Sequence, residues 1–233
     1  MRAVLFDLDD TLLDYSGAVE RCWADACTTI GSLEGIEPET LVPAIEATRR
    51  WFWSDPDRHA RERVRMLDAW TKIAAGALES IGRPSPAVAR AIAEDFAGRR
   101  RAAMQLFPDA LPCLTALRTG GARLGLVTNG DPAMQHEKIA RFALGGLFDV
   151  VLIEGEFGKG KPDPGVYHHV LGALDVPALE ATMVGDNLDW DVAGAQRVGI
   201  RGVWIDRATR GLPAGHPVRP DRVIGSLAEL CAR

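Results

Sequence analysis

The sequence predicts an α/β fold: a Rossmann-like parallel sheet with helices on both faces, plus an inserted helical cap subdomain. Three observations predict it. Short apolar runs without polar alternation, at 3–6, 124–127, 150–153, 182–184 and 202–205, read as strands buried on both faces. Helical patterns separate these runs, as a parallel sheet requires. One connection, residues 15–103, is far longer than the ~2–6 residues of an ordinary strand-to-helix loop, and its periodicity is helical. Residues 1–14 and 104–233 are therefore assigned to the α/β core and 15–103 to the insert.

The first run, AVLF, leads straight into Asp7, Leu8, Asp9, Asp10 and Thr11. In open α/β sheets the carboxyl ends of the strands form the ligand-binding edge. Asp7 and Asp9 stand two residues apart. Two carboxylates at ~4 Å repel by roughly 4 kcal/mol at an effective dielectric near 20. A site that keeps both charged wants a cation. The same stretch also reads as an acidic loop that caps the following helix.

The insert comes next. Val19, Trp23, Ala26, Cys27 and Ile30 lie at helical spacing, with Ser16 placed to cap them. Pro38 starts a second helix carrying Leu41, Val42, Ile45 and Phe52. Leu67, Trp70, Ala74, Ala77, Leu78 and Ile81 give a third, and Ser85-Pro86 opens a fourth through Val88, Ile92 and Phe96. An insert placed just beyond an acidic strand end is expected to act as a lid. Trp51, Trp53, Arg49, Arg50, Arg58, Arg61, Arg63 and Arg65 cluster in its middle. They read either as a grip for an anionic or sugar-like substrate or, preferred residue by residue, as core aromatics flanked by solvated, acid-paired arginines.

Beyond Leu106 the alternation resumes. A helix over 110–118 stops at Thr119-Gly120-Gly121. The strand at 124–127 ends in Thr128, Asn129, Gly130 and Asp131, and Pro132 starts a helix to about Arg141. The strand at 150–153 enters a loop, 154–164, that holds Lys159 and Lys161. Pro164 opens a helix to about Leu174. The strand at 182–184 ends in GDNLDWD, residues 185–191, followed by a helix with Val192, Ala195 and Val198. The run at 202–205, a surface loop at 211–220, a strand at 222–224 and a helix from Ser226 close the chain.

Bulk properties narrow the function. The chain has 233 residues, a net charge of −5 and a composition typical of soluble globular proteins. Its charge balance does not suit a nucleic-acid binder, and no apolar run nears the ~20 residues of a membrane helix. The N-terminus enters a strand at once, without the pattern of a signal peptide. The four cysteines, Cys22, Cys27, Cys113 and Cys231, show no metal spacing, so reduced thiols in a cytoplasmic protein are expected. The four lysines are Lys72, Lys138, Lys159 and Lys161, and two of them share one loop.

The polar strand ends differ in kind: Asp7 and Asp9, Thr128 and Asn129, Lys161, and Asp186 with Asp191. One edge then gathers carboxylates, a lysine, a hydroxyl and loop amides. Phosphoryl transfer to a carboxylate needs that set. A carboxylate attacks phosphorus, oxygen ligands hold Mg²⁺, a lysine offsets charge, and a second carboxylate moves the proton.

Here the chain resembles a known family. DLDDT at 7–11 resembles the first motif, DxDx[TV], of the haloacid dehalogenase (HAD) superfamily. Thr128-Asn129 after LGLV, Lys161 in KGKPDPGVY and GDNLDWD at 185–191 resemble the second, third and fourth motifs, in family order. The insert lies where the family's C1 cap lies. The resemblance implies that Asp7 is the nucleophile and a magnesium ligand. It implies that Asp9 is the general acid/base and offers its backbone carbonyl to the metal. Leu8, Asp9, Thr128, Asn129 and Lys161 would line the phosphate site, Thr128 by its hydroxyl and Asn129 by its amide. Asp186 would be the acidic metal ligand, with Asp191 supporting the metal site from behind. Lys159, Asp189 and Trp190 fall on variable positions and read as structural, Asp10 and Thr11 as loop-holding. His168 and His169 point to different helix faces and do not read as a metal pair.

Asp9 separates readings within the family, because a halide leaving group needs no proton and dehalogenases lack that aspartate. VTNGDPAMQHEKI, the following FD and KPDPGVYHHV resemble the N-acylneuraminate-9-phosphatases and their bacterial relatives. The expected function is a Mg²⁺-dependent phosphomonoester hydrolase acting on a small phosphorylated metabolite. A phosphomutase of the β-phosphoglucomutase kind, a receiver-like signalling module and a haloacid dehalogenase stand as alternatives. The natural substrate and the oligomeric state have no motif.

Overall fold

The computed structural model describes residues 2–231. The chain divides into two compact units, Met1–Asp14 with Gln105–Arg233, and Tyr15–Met104.

The second unit is helical: α1 (Val19–Leu33), α2 (Pro38–Ser54), α3 (Pro56–Glu62), α4 (Met66–Ser80) and α5 (Pro86–Ala103). Helix α1 packs on α2 and α5, and α4 packs on the same two. Their apolar stripes meet around Trp23, which stacks on Phe96 at 3.9 Å, with Trp70 set edge-on to Phe96 at 5.0 Å. Ser85 caps α5 as its Ser-Pro sequence predicts, accepting from Val88 N–H. Ser16 does not cap α1: the helix starts after Ala18 with no side-chain cap. Helix α3 is an addition to the predicted set. Its signal is Asp55-Pro56, where the carboxylate accepts from Arg58 N–H at 2.6 Å.

The arginine and tryptophan cluster behaves as the structural reading expects at several positions. Arg58 lies 4.0 Å over the Trp51 ring and donates to the carbonyls of Phe52 and Trp51 at the end of α2. Arg49 pairs with Glu20, and Arg61 with Glu62. Trp51 itself is exposed.

The first unit holds β1 (Ala3–Phe6), β2 (Leu13–Asp14), β3 (Gln105–Leu106), α6 (Ala110–Thr119), β4 (Arg123–Thr128), α7 (Pro132–Arg141), β5 (Val150–Ile153), α8 (Glu154–Phe157), α9 (Pro164–Leu174), β6 (Ala181–Gly185), α10 (Gly194–Gln196), β7 (Arg201–Ile205), β8 (Arg222–Ile224) and α11 (Ala228–Cys231). Among the described residues, six strands form one parallel sheet in the order β5-β4-β1-β6-β7-β8. Strand β1 is central and wholly buried, which explains its unbroken apolar sequence. The order reverses at β1, so its carboxyl end is a topological switch point. Short β2 and β3 pair antiparallel, Leu13 with Leu106, where the chain leaves and re-enters this unit.

Two local expectations need correction. Residues 154–164 are not all loop, because Glu154–Phe157 form α8, closed by left-handed Gly158 at φ 82°. The helix expected around Val192, Ala195 and Val198 is instead a π-helical turn, Leu188–Ala193, running into α10. Asn187 caps that turn by accepting from Asp189 and Trp190 N–H. No helix among the described residues is long and apolar enough to cross a membrane.

Candidate active site

The carboxyl edge of the sheet brings the predicted acids together. Asp7, Asp186 and Asp191 each offer a carboxylate oxygen, and these atoms lie within 4.8 Å of one another. Lys161, buried to 1% exposure, reaches into them. Its Nζ donates to Asp7 Oδ1 and to Asp191 Oδ1, each at 2.6 Å. Thr11 Oγ1 donates to the other oxygen of Asp7 at 3.3 Å, so this loop residue touches the central acid directly.

Electrostatics follow from burial. Desolvation pushes the Asp7 carboxyl up to about 7; Lys161 opposes the rise, while Asp191 and Asp9 add to it. Asp186 is pushed up to about 9, by desolvation first and then by Asp7 and Asp191. For Lys161, burial lowers the pKa, but the flanking Asp191 and Asp7 more than reverse this and hold it well above the ordinary value. Three carboxylates against one ammonium leave two formal negative charges, the complement of a divalent cation. The donors are hard oxygens, which suit Mg²⁺. Asp191 is already engaged at both oxygens, by Lys161 and by Asn187 N–H at 3.0 Å. Asp7 is held at both oxygens too, but its Thr11 contact is the longer, at 3.3 Å. The Asp186 backbone is itself held, its carbonyl accepting from Trp204 Nε1 at 2.7 Å.

Sequence spacing places Asp9 beside Asp7, yet the Asp9 carboxylate is not part of the acid cluster. Asp9 turns toward α7, where Lys138 Nζ lies 2.9 and 2.8 Å from its two oxygens. Asp7 and Asp9 each have their own buried lysine, Lys161 for Asp7 and Lys138 for Asp9. Gln135 Nε2 also contacts Asp9 Oδ2, at 3.1 Å, and Thr128 Oγ1, at 2.6 Å. Gln135, Lys138 and the Thr11 contact were not anticipated. The available signal was the i, i+3 spacing of Gln135 and Lys138 on a helix that starts at the strand end. Lys159, by contrast, is an exposed loop charge paired with Asp163, and Asp189 is exposed. His169 meets the Phe157 ring at 4.9 Å.

The remaining predicted residues frame the site. Leu8 is buried, and its carbonyl accepts from Leu12 and Leu13 N–H. Asp10 takes a left-handed conformation, φ 59°, and donates to the Leu13 carbonyl, so it holds the loop. Asn129 clamps the Lys161 peptide, donating to its carbonyl and accepting its N–H. A Cβ at Gly185 would lie 2.2 Å from Asp191 Cγ, so only glycine lets that carboxylate fold back over the strand end.

The sequence matches the haloacid dehalogenase-like hydrolases over residues 1–199. The chain belongs to that family. A phosphoserine phosphatase of Thermus thermophilus is 39% identical over 210 residues, covering 89% of this chain and 76% of that protein. The N-acylneuraminate-9-phosphatase of Rattus norvegicus is 29% identical, covering 100% of this chain and 93% of that protein. Among solved structures, a HAD phosphatase from Thermococcus onnurineus superposes with a TM-score of 0.67 at 27% identity, covering 99% of this chain and 96% of that one. This HAD hydrolase is an enzyme, and it falls with the family's phosphatases.

Proposed function

We propose that the protein is a Mg²⁺-dependent phosphomonoester hydrolase that forms an aspartyl-phosphate on Asp7. The observation that carries this reading is the Lys161–Asp7 ion pair, 2.6 Å long, at the switch point of the sheet and within the acid cluster.

A carboxylate oxygen of Asp7 attacks phosphorus, and the ester oxygen leaves with a proton from Asp9. Water then attacks the phosphorus of the acyl phosphate, gives its proton to Asp9, and releases phosphate and Asp7. Asp9, ionised against Lys138 at rest, takes up with the ester the proton that it donates, and sheds it again after hydrolysis. Lys161, the Thr128 hydroxyl and the Asn129 amide offset charge on the phosphoryl oxygens. Asp7, Asp186 and the Asp9 carbonyl are assigned to Mg²⁺, with Asp191 orienting Lys161 beside them. Bound there, Mg²⁺ neutralises the nucleophile and the phosphoryl oxygens so that two anions can meet. Retention of Asp9 favours phosphate esters over halides, since an alkoxide needs the proton that a halide does not. The helical unit is inserted between Asp14 and Gln105, directly beyond the acidic strand end, and we assign the choice of ester to it.

The test is phosphate release with Mg²⁺ from phosphoserine, an acylneuraminate 9-phosphate, sugar phosphates, nucleotides and p-nitrophenyl phosphate. Turnover that disappears in Asp7→Asn with the fold retained supports the reading. Turnover by that variant removes Asp7 as nucleophile, and activity that survives exhaustive chelation removes the metal.

A further inference from the structure

We propose that Lys138 and Gln135 form a dock on α7 that positions the Asp9 carboxylate for proton transfer. The proposal rests on the acid/base reading of Asp9 given above. Neither residue touches the acid cluster: Lys138 acts through Asp9, and Gln135 through Asp9 and the Thr128 hydroxyl, as positioning residues.

The geometry is specific. Lys138 and Gln135 are 3% and 2% exposed, and both point at the strand end from one face of α7. The helix is anchored where it leaves that edge: Asp131 caps it by accepting from Met134 N–H at 3.1 Å, and Pro132 takes its first position. A buried lysine is stable only with an anionic partner, and here Asp9 supplies both oxygens. Bidentate contact has a consequence for chemistry. One oxygen can stay on Lys138 while the other turns toward a leaving group, so the side chain swings about a fixed point.

Gln135 links that swing to the phosphate site. Its amide nitrogen faces three acceptors, Asp9 Oδ2 at 3.1 Å, Thr128 Oγ1 at 2.6 Å and the Asn129 carbonyl at 3.2 Å. The carboxylate and the carbonyl accept only, which fixes nitrogen rather than oxygen on this side. Two N–H bonds serve three acceptors, so Asp9 can move off Gln135 without leaving a donor unsatisfied. The dock therefore constrains Asp9 through the lysine and releases it through the glutamine.

The experiment compares kcat and KM for p-nitrophenyl phosphate, whose leaving group barely needs a proton, and a simple alkyl phosphate, whose leaving group does. General acid catalysis is worth roughly 10²–10⁴-fold. Lys138→Met should lose about tenfold or more kcat on the alkyl ester beyond its loss on p-nitrophenyl phosphate, with little change in KM. Lys138→Arg should restore part of that difference. In an Asp9→Asn background, Lys138→Met should add almost nothing. Gln135→Leu, which leaves the ion pair in place, should show the same split at smaller size and serves if Lys138→Met fails to fold by circular dichroism. Equal losses on both esters in Lys138→Met and Gln135→Leu, while Asp9→Asn still discriminates between the esters, would overturn the dock. A full multiplicative loss in the double variant would overturn it too. If Asp9→Asn itself does not discriminate, the acid/base reading fails and the dock fails with it.

Discussion

Asn129 and Lys161 are joined by two reciprocal hydrogen bonds, the carboxamide donating to the Lys161 carbonyl and accepting its N–H, each at 2.8 Å. A side chain just past the end of β4 thereby fixes the backbone of the loop between α8 and α9, and with it the root of the lysine that meets Asp7. Asn129→Ala removes both bonds and leaves a partly buried N–H and carbonyl without these partners. The expected cost is about 2–3 kcal/mol, or roughly 5–10 °C in Tm for a chain of this size, together with a fall in kcat. A melting curve unchanged from the parent would show that the clamp contributes nothing.

Gly185 and Asp191 make a second tight contact, with a built Cβ only 2.2 Å from Asp191 Cγ. Gly185→Ala must displace the Asp191 carboxylate, which holds Lys161 and the Asn187 N–H. Activity should fall by more than about tenfold, because the lysine loses one of its two anionic partners. Gly98→Ala is the contrast: nothing lies within 4 Å of the added methyl, inside α5. That change should raise stability by about 0.5–1 kcal/mol. Wild-type turnover by Gly185→Ala would sink the argument from close approach.

The acid cluster makes stability depend on pH in a definite direction. Asp7 and Asp186 titrate near 7 and 9 in the fold against 3.8 as the ordinary value. Between these limits the folded protein holds protons that the unfolded chain has released, so these two groups lower stability as pH rises from about 4 toward 9. In metal-free protein, Asp186→Asn should match the parent near pH 4 and become progressively more stable than it up to pH 9. Saturating Mg²⁺ should reverse the order at pH 8, since the parent gains more from binding. Denaturant titrations at several pH values check both statements. A stability difference that stays flat with pH would refute the assigned burial cost.

The helical unit has its own weak point at the Trp23–Phe96 stack, 3.9 Å between ring centroids. Phe96 is fully buried and also meets Trp70 edge-on. Phe96→Ala should cost about 3–5 kcal/mol by transfer and cavity formation, seen as an earlier unfolding transition. A loss below about 1 kcal/mol would mean that the neighbouring side chains close the cavity.

Much of this was legible in the chain itself. The AVLF run reads as a strand covered on both faces, and β1 is one; the equally apolar VVLI of β5 lies at the sheet edge and leaves Val151 exposed. Ser85-Pro86 and Pro132 announce helices through local backbone chemistry. Asp55-Pro56 announces α3 equally well, although a reading by apolar period passes over so short a helix. Ser16 fails as a cap because the chain makes one further turn before α1 begins, its carbonyl accepting from Val19 N–H.

By itself, then, the sequence determined the alternating elements, the long helical insert and the polar residues at the strand ends, since each depends on neighbours within a few positions. It also carried the family, through motifs that sit at those ends. Only the tertiary structure decided where the charges point. Asp9 faces Lys138 across 129 positions, and Lys161 faces Asp7 across 154. A buried lysine is stable only beside a carboxylate, and no local pattern reveals which distant carboxylate will be there.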